Sequence, residues 1–129
     1  MAKEFKVGDT FTHQRECDKY RPIYYAAASG DFNPIHIDPE VGAMAGLQGV
    51  ILQGLCTMAW ATEAAVNFAG DPGSIKRVKV RFSRPVAPDD TVTFEGKVVK
   101  VEGGKATAEL SAKNQRQEDV LKSAIIELG

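Results

Sequence analysis

Two rhythms of apolar residues divide the chain. Residues 50–68, VILQGLCTMAWATEAAVNF, repeat apolar or small side chains at helical spacing through Ile51, Leu55, Met58, Ala59, Thr62 and Val66. The segment is rich in Ala, Leu and Met and free of proline, so it predicts one long helix. Its other faces, Val50, Ala61, Ala64, Ala65 and Phe68, are also apolar or small, and Glu63 is its only charge. A helix apolar nearly all round is buried nearly all round, so the rest of the chain must wrap it.

The second rhythm supplies the wrapper. From Lys76 the residues alternate, with Arg77, Lys79 and Arg81 on one face and Val78, Val80 and Phe82 on the other. A period of two is a strand. Pro85, Pro88 and Asp89-Asp90 break it, and a second strand follows over Thr91–Val101, with a phase shift at Val98-Val99 that fits a β-bulge. Gly103-Gly104 signals a hairpin; residues 105–113 then alternate through Ala106, Ala108, Leu110 and Ala112, and a last strand covers Val120–Leu128. Successive hairpin-like connections predict an antiparallel meander.

Upstream, Val7-Gly8-Asp9 reads as a turn into a short strand over Thr10–Cys17. Asp18 is placed to cap a helix over residues 19–29, with Pro22 in its first turns and Gly30 at its end. The following DFNPIHIDPE is a polar loop, because Asn33-Pro34 and Asp38-Pro39 each disfavour helix at the first residue of the pair. The expected fold is α+β: one domain over residues 1–129, an antiparallel sheet around a long central helix.

Composition narrows the classes. At 129 residues the chain is long enough for a core that needs neither disulfides nor a structural metal. Sixteen Lys+Arg stand against seventeen Asp+Glu, a balance unsuited to nonspecific nucleic-acid binding. Cys17 and Cys56 make no disulfide framework, and with only two histidines, His13 and His36, no zinc-ligand spacing exists. The start shows no apolar signal region, and Val41–Thr62 is interrupted by glycines and glutamines, so no membrane span is expected and a cytoplasmic setting is.

The chemistry is concentrated in Tyr24–His36, YYAAASGDFNPIH. Asp31 and His36 lie five residues apart, with the rigid Asn33-Pro34 pair between them. Converging on one spot, they could hold and polarise a single water, and histidine is suited to proton transfer near neutral pH. The residues alone leave another possibility open: Asp31 capping a turn, Asn33 bonding its own backbone, His36 a satisfied loop histidine.

Ser29-Gly30-Asp31-Phe32-Asn33-Pro34-Ile35-His36-Ile37-Asp38, with Gln53-Gly54-Leu55 at the head of the apolar helix, resembles the hydratase-2 motif of the MaoC-like family. That family comprises (R)-specific enoyl-CoA hydratases and related (3R)-hydroxyacyl-ACP dehydratases with the hotdog fold. Gly70-Asp71-Pro72-Gly73 and Val80–Val86 look especially like the small dehydratase subunits of mycobacterial-type type II fatty acid synthesis. The resemblance implies reversible hydration of trans-2-enoyl thioesters, carried by CoA or acyl carrier protein, with no cofactor and no metal. Asp31 and His36 match the catalytic pair, Asn33 the residue that shapes their loop, and Gly54 the glycine whose N–H donates to the thioester carbonyl. Ser29 and Thr62 match supporting positions; Thr62 stands where relatives place a small hydroxyl residue near the catalytic histidine, and bonding back to its own helix is the other reading of it. The family usually has histidine before the glycine, where this chain has Gln53.

Arg77, Arg81 and Arg84 could meet CoA or phosphopantetheine phosphates, or form a solvated sheet face. Met44, Leu47, Leu55 and Phe68 could line an acyl tunnel or serve as core. An exposed edge strand predicts a homodimer, with a heterodimer as the other arrangement. The competing activities are a hotdog acyl-CoA thioesterase and a non-catalytic subunit of a heterodimeric dehydratase; retention of both Asp31 and His36 argues against the latter.

Overall fold

The computed structural model describes residues 3–129. Five strands form one sheet in the order β1-β3-β4-β5-β2: β1 Thr10–Glu16, β2 Ile75–Phe82, β3 Thr91–Glu102, β4 Lys105–Lys113 and β5 Asp119–Leu128. Every pairing is antiparallel. Three helices precede β2: α1 Arg21–Ser29, α2 Pro39–Met44 and α3 Gly54–Ala69. Among the described residues, no helix is long and apolar enough to cross a membrane.

The meander holds for β3-β4-β5, where the Gly103-Gly104 turn takes positive φ at both glycines. A register shift between Val98 and Lys100 stands where the phase of the sequence slips. The expectation fails for β2, which crosses to the far edge and pairs with β5, leaving β1 beside β3. The cause lies in residues 83–90. Pro85 and Pro88 stiffen the connection, and it is tied to the end of β1 by Cys17 N–H donating to the Asp90 carbonyl at 2.8 Å and Asp89 N–H to the Cys17 carbonyl at 2.6 Å. The Asp90 carboxylate, 5% exposed, accepts from Ala87 N–H at 3.0 Å and Gln115 Nε2 at 2.8 Å. These bonds satisfy the polar groups of a crossing that a hairpin would not need.

The long helix also differs from expectation. It starts at Gly54, and Val50–Gln53 stay outside it, with Ile51 N–H donating to the Ile35 carbonyl and Leu52 N–H to that of Val86. It is buried on one side only. Cys56, Thr57, Trp60, Ala61, Ala64, Ala65 and Ala69 are buried, most of them packed with Val92, Phe94, Val98, Leu110 and Ile126 of the sheet, whereas Leu55 is 61% exposed. Glu63 is paired with His13 and Arg15 of β1, at 2.5 and 3.0 Å. The first helix starts at Arg21; Asp18 instead accepts from Tyr20 N–H in the turn before it. Gly30 does end that helix, at φ 81°. The short α2 has no counterpart among the expected elements. Its Gly42 lies so close to Gly49 that a β-carbon would overlap the Gly49 carbonyl.

Candidate active site

The segment after α1 is shaped by short polar bonds. Ser29 Oγ donates to the Tyr25 carbonyl at 2.7 Å and accepts from Asp31 N–H at 3.1 Å. Asp31 Oδ1 accepts from Asn33 N–H at 3.3 Å, and Asn33 Oδ1 from Ile35 N–H at 3.2 Å. These are the local turns that Asp and Asn favour, and they start the single 3-10 turn Pro34–His36. Ser29 thus braces the Asp31 backbone and Asn33 the turn that delivers His36.

His36 is buried, and its Nδ1 donates to the Ile51 carbonyl at 2.8 Å. With the single proton of a neutral ring held there, Nε2 is left with its lone pair. Nε2 faces Asp31 Oδ2 at 3.7 Å. That separation is too long for a direct hydrogen bond, and both atoms are free to accept from one shared donor. Asp31 is half exposed and His36 is not, so solvent reaches the pair from the carboxylate side.

A cavity of about 300 Å³ opens beside the imidazole, lined by His36, Ile51, Gly54, Thr57, Phe82 and Arg84 among others. Gly54 is the first residue of α3, and among the described residues nothing accepts from its N–H. A free N–H at the positive end of a 16-residue helix is suited to a developing negative charge. The Phe82 ring stands close over this glycine; a β-carbon at Gly54 would lie 3.1 Å from Phe82 Cε1. Phe82 alternates with Val78 and Val80 on the apolar face of β2, yet it is 52% exposed at the end of the strand and forms a wall of the cavity. A larger hollow of about 900 Å³ shares Ile51, Arg84 and Pro85 with this one.

Other expected residues lie elsewhere. Thr62 bonds back to the Met58 carbonyl at 3.0 Å and does not line the His36 cavity. The hydroxyl residue that does is Thr57, one turn after Gly54, 3% exposed and without a hydroxyl partner among the described residues. The spacing of three from Gly54 was the available signal, because helical side chains at i and i+3 share a face. Of the three arginines only Arg84 borders the cavity, where it pairs with Glu118 at 3.2 Å. Arg77 pairs with Glu127 at 3.7 Å on the exposed face of β2, which Arg81 shares. Met44 is 86% exposed, Leu47 lines the larger hollow, and Phe68 stacks on Phe11. The buried Cys56 has its thiol pushed up, chiefly by burial, and is no ready nucleophile. Among the described residues no three His, Cys, Asp or Glu side chains gather as a metal site would need.

A helix laid on a five-stranded antiparallel sheet, with an Asp/His pair beside the helix's head, is the hotdog architecture. The chain belongs to the MaoC-like domain family, whose model matches residues 5–120. It is 39% identical over 75 residues to a probable enoyl-CoA hydratase 2 of Dictyostelium discoideum, covering 57% of this chain and 26% of that one. Its length is thus well under two thirds of that curated relative's. Among solved structures it is similar to the unliganded (R)-hydratase PhaJ1 of Pseudomonas aeruginosa, with TM-score 0.87, 25% identity and coverage of 97% of this chain and 81% of that one. The ChsH1-ChsH2 complex of Mycobacterium tuberculosis matches with TM-score 0.86 and 25% identity, over 96% of this chain and 97% of that one.

Proposed function

We propose that this chain catalyses the reversible hydration of trans-2-enoyl thioesters to (3R)-hydroxyacyl thioesters in fatty acid metabolism. The observation that carries the reading is the convergence of three groups: His36 Nε2, free because Nδ1 is engaged; Asp31 Oδ2 at 3.7 Å from it; and the N–H of Gly54, which has no acceptor among the described residues, at the same cavity as the imidazole. One water donates to both Nε2 and Oδ2. Its oxygen bonds to C3 as one O–H proton passes to the pair. The C2–C3 π electrons move toward the thioester oxygen, which accepts from Gly54 N–H. When the carbonyl re-forms, C2 takes a proton from the pair, and the sum is addition of one H₂O. Polarising the carbonyl and moving the proton are the two demands of this reaction, and each has a group assigned to it. In this reading the larger hollow takes the rest of the substrate, and Arg84, which lines both hollows, meets its CoA or carrier arm.

The working unit in this reading is a homodimer. Strand β2 is a free edge, and Phe82 at its end, 52% exposed, forms a wall of the cavity. A second copy there would continue the sheet and close the cavity wall. Light scattering at micromolar concentration should return twice the monomer mass; a stable 13.9 kDa species would remove the dimer from the proposal.

The test of the activity is the purified protein with crotonyl-CoA and longer enoyl-CoAs, following loss of the conjugated-enoyl absorbance. Asp31→Asn and His36→Ala should each lower kcat about a hundredfold or more. The double variant should cost little more than the worse single one, because groups sharing one water do not act additively. A folded double variant with wild-type hydration would refute the site. Release of free thiol from saturated acyl-CoA would point to a thioesterase instead.

A further inference from the structure

Gln53 is joined to both halves of the site, and its side chain is wholly buried. As the N-cap of α3 it precedes Gly54, so its backbone leads directly to the N–H offered to the thioester. Its carboxamide Nε2 donates to the Pro22 carbonyl in the first turn of α1 at 2.9 Å, and to the Asp31 carbonyl at 3.4 Å. Two amide hydrogens meet two carbonyl acceptors, so the orientation is fixed; turned over, Oε1 would face two oxygens. As it stands, Oε1 is buried without a partner among the described residues. A methionine of similar size would fill the space without stranding a buried acceptor, so filling space does not account for glutamine here. What glutamine adds is the pair of donors. Among the described residues its Nε2 makes the one hydrogen bond to the Asp31 carbonyl; the loop's other long-range bonds, Ile51 N–H to the Ile35 carbonyl and His36 Nδ1 to the Ile51 carbonyl, lie at its far end.

We propose that Gln53 is a positioning residue that holds the Asp31 main chain, and through it the carboxylate, in register with the Gly54 N–H. The proposal rests on the hydratase reading of the site. It gives a physical content to the departure from the family's usual histidine: a neutral imidazole has one N–H, whereas the carboxamide supplies two and keeps them at any pH.

Gln53→Met is the decisive variant, made in the full chain and checked for fold by circular dichroism. Hydration of crotonyl-CoA should lose about tenfold or more in kcat with KM within about threefold, since a misplaced group costs rate more than grip. Amide exchange over residues 31–36 should accelerate, with that of β3–β5 unchanged. Gln53→His, which retains one N–H, should recover part of the rate. A folded Gln53→Met protein with either kcat or loop exchange at the wild-type value overturns the proposal. If it does not fold, Gln53→Asn, an amide one methylene too short to reach both carbonyls, is judged on the same two readouts. If the wild type hydrates no enoyl thioester, the activity reading fails, while loop exchange still decides whether Gln53 holds Asp31.

Discussion

Along β4, Ala106, Ala108, Leu110 and Ala112 are buried in strict alternation beneath the neighbouring strands and α3, whereas every residue from Ser29 to Pro34 is exposed, Asp31 included. The strand is held by apolar contacts with residues far away in sequence. The loop is held by Ser29, Asp31 and Asn33 bonding within a few residues, and anchored to the body at His36 and Gln53. On the proposed function, stability and chemistry therefore rest on different atoms. Damage to the sheet should lower the folded population without changing the reaction per folded molecule, and damage to the loop should do the reverse.

The largest effect expected on this division is Phe94→Ala. Phe94 has no exposed surface, and truncating such a ring costs about 3–5 kcal/mol. Urea denaturation should show that loss, with kcat per folded molecule unchanged; a matching fall in kcat would erase the distinction. Gly42→Ala is the variant that should cross the boundary. Its β-carbon would overlap backbone at Gly49, which cannot rotate away, so residues 46–50 must shift and carry with them the Ile51 carbonyl that holds His36. A loss of about 1–3 kcal/mol in stability should accompany a fall in kcat, measured side by side.

Thr57→Val is a smaller probe on the catalytic side. It keeps the shape and removes a hydroxyl with no partner among the described residues, so kcat/KM should drop about tenfold or less while thermal stability holds or rises. The smallest effect belongs to the core. Burial, reinforced by the nearby Cys56 and Asp18, pushes the Cys17 thiol from 9.0 up to about 12. The folded state holds this proton more tightly than the unfolded chain, so its stabilising contribution is intact below about pH 9 and is lost as pH climbs toward 12. Cys17→Ala should flatten part of that alkaline decline in denaturation midpoints.

Local rules made much of this legible. The period-two runs marked β3, β4 and β5, Gly103-Gly104 marked the hairpin, and Gly30 marked the end of α1, because each depends on residues close in sequence. The Asp31–His36 loop was legible as a motif, and its Asn33-Pro34 turn follows from the same short-range chemistry. The misplaced elements are those settled over long range. Val50–Gln53 have helix-compatible side chains, but Ile51 and Leu52 donate instead to Ile35 and Val86. Strand β2 has a clear alternation, yet nothing in it specifies β5 rather than β3 as its neighbour. Thr57 and Thr62 are equally plausible hydroxyls on one helix until the cavity picks out a face.

The strand order also sets a schedule for synthesis. Strand β1 pairs with β3, which begins at Thr91, and β2 pairs with β5, which is complete only at Leu128. Helix α3 ends at Ala69, so its apolar faces leave the ribosome well before the strands that cover them. At roughly 5–20 residues per second, that interval lasts on the order of 3–12 seconds. Such non-local closure is slow by nature, and it leaves the nascent chain with a greasy helix and no sheet to shelter it. A chaperone that binds apolar helical segments would find its target here during translation, and the demand for it would end when β5 zips against β2.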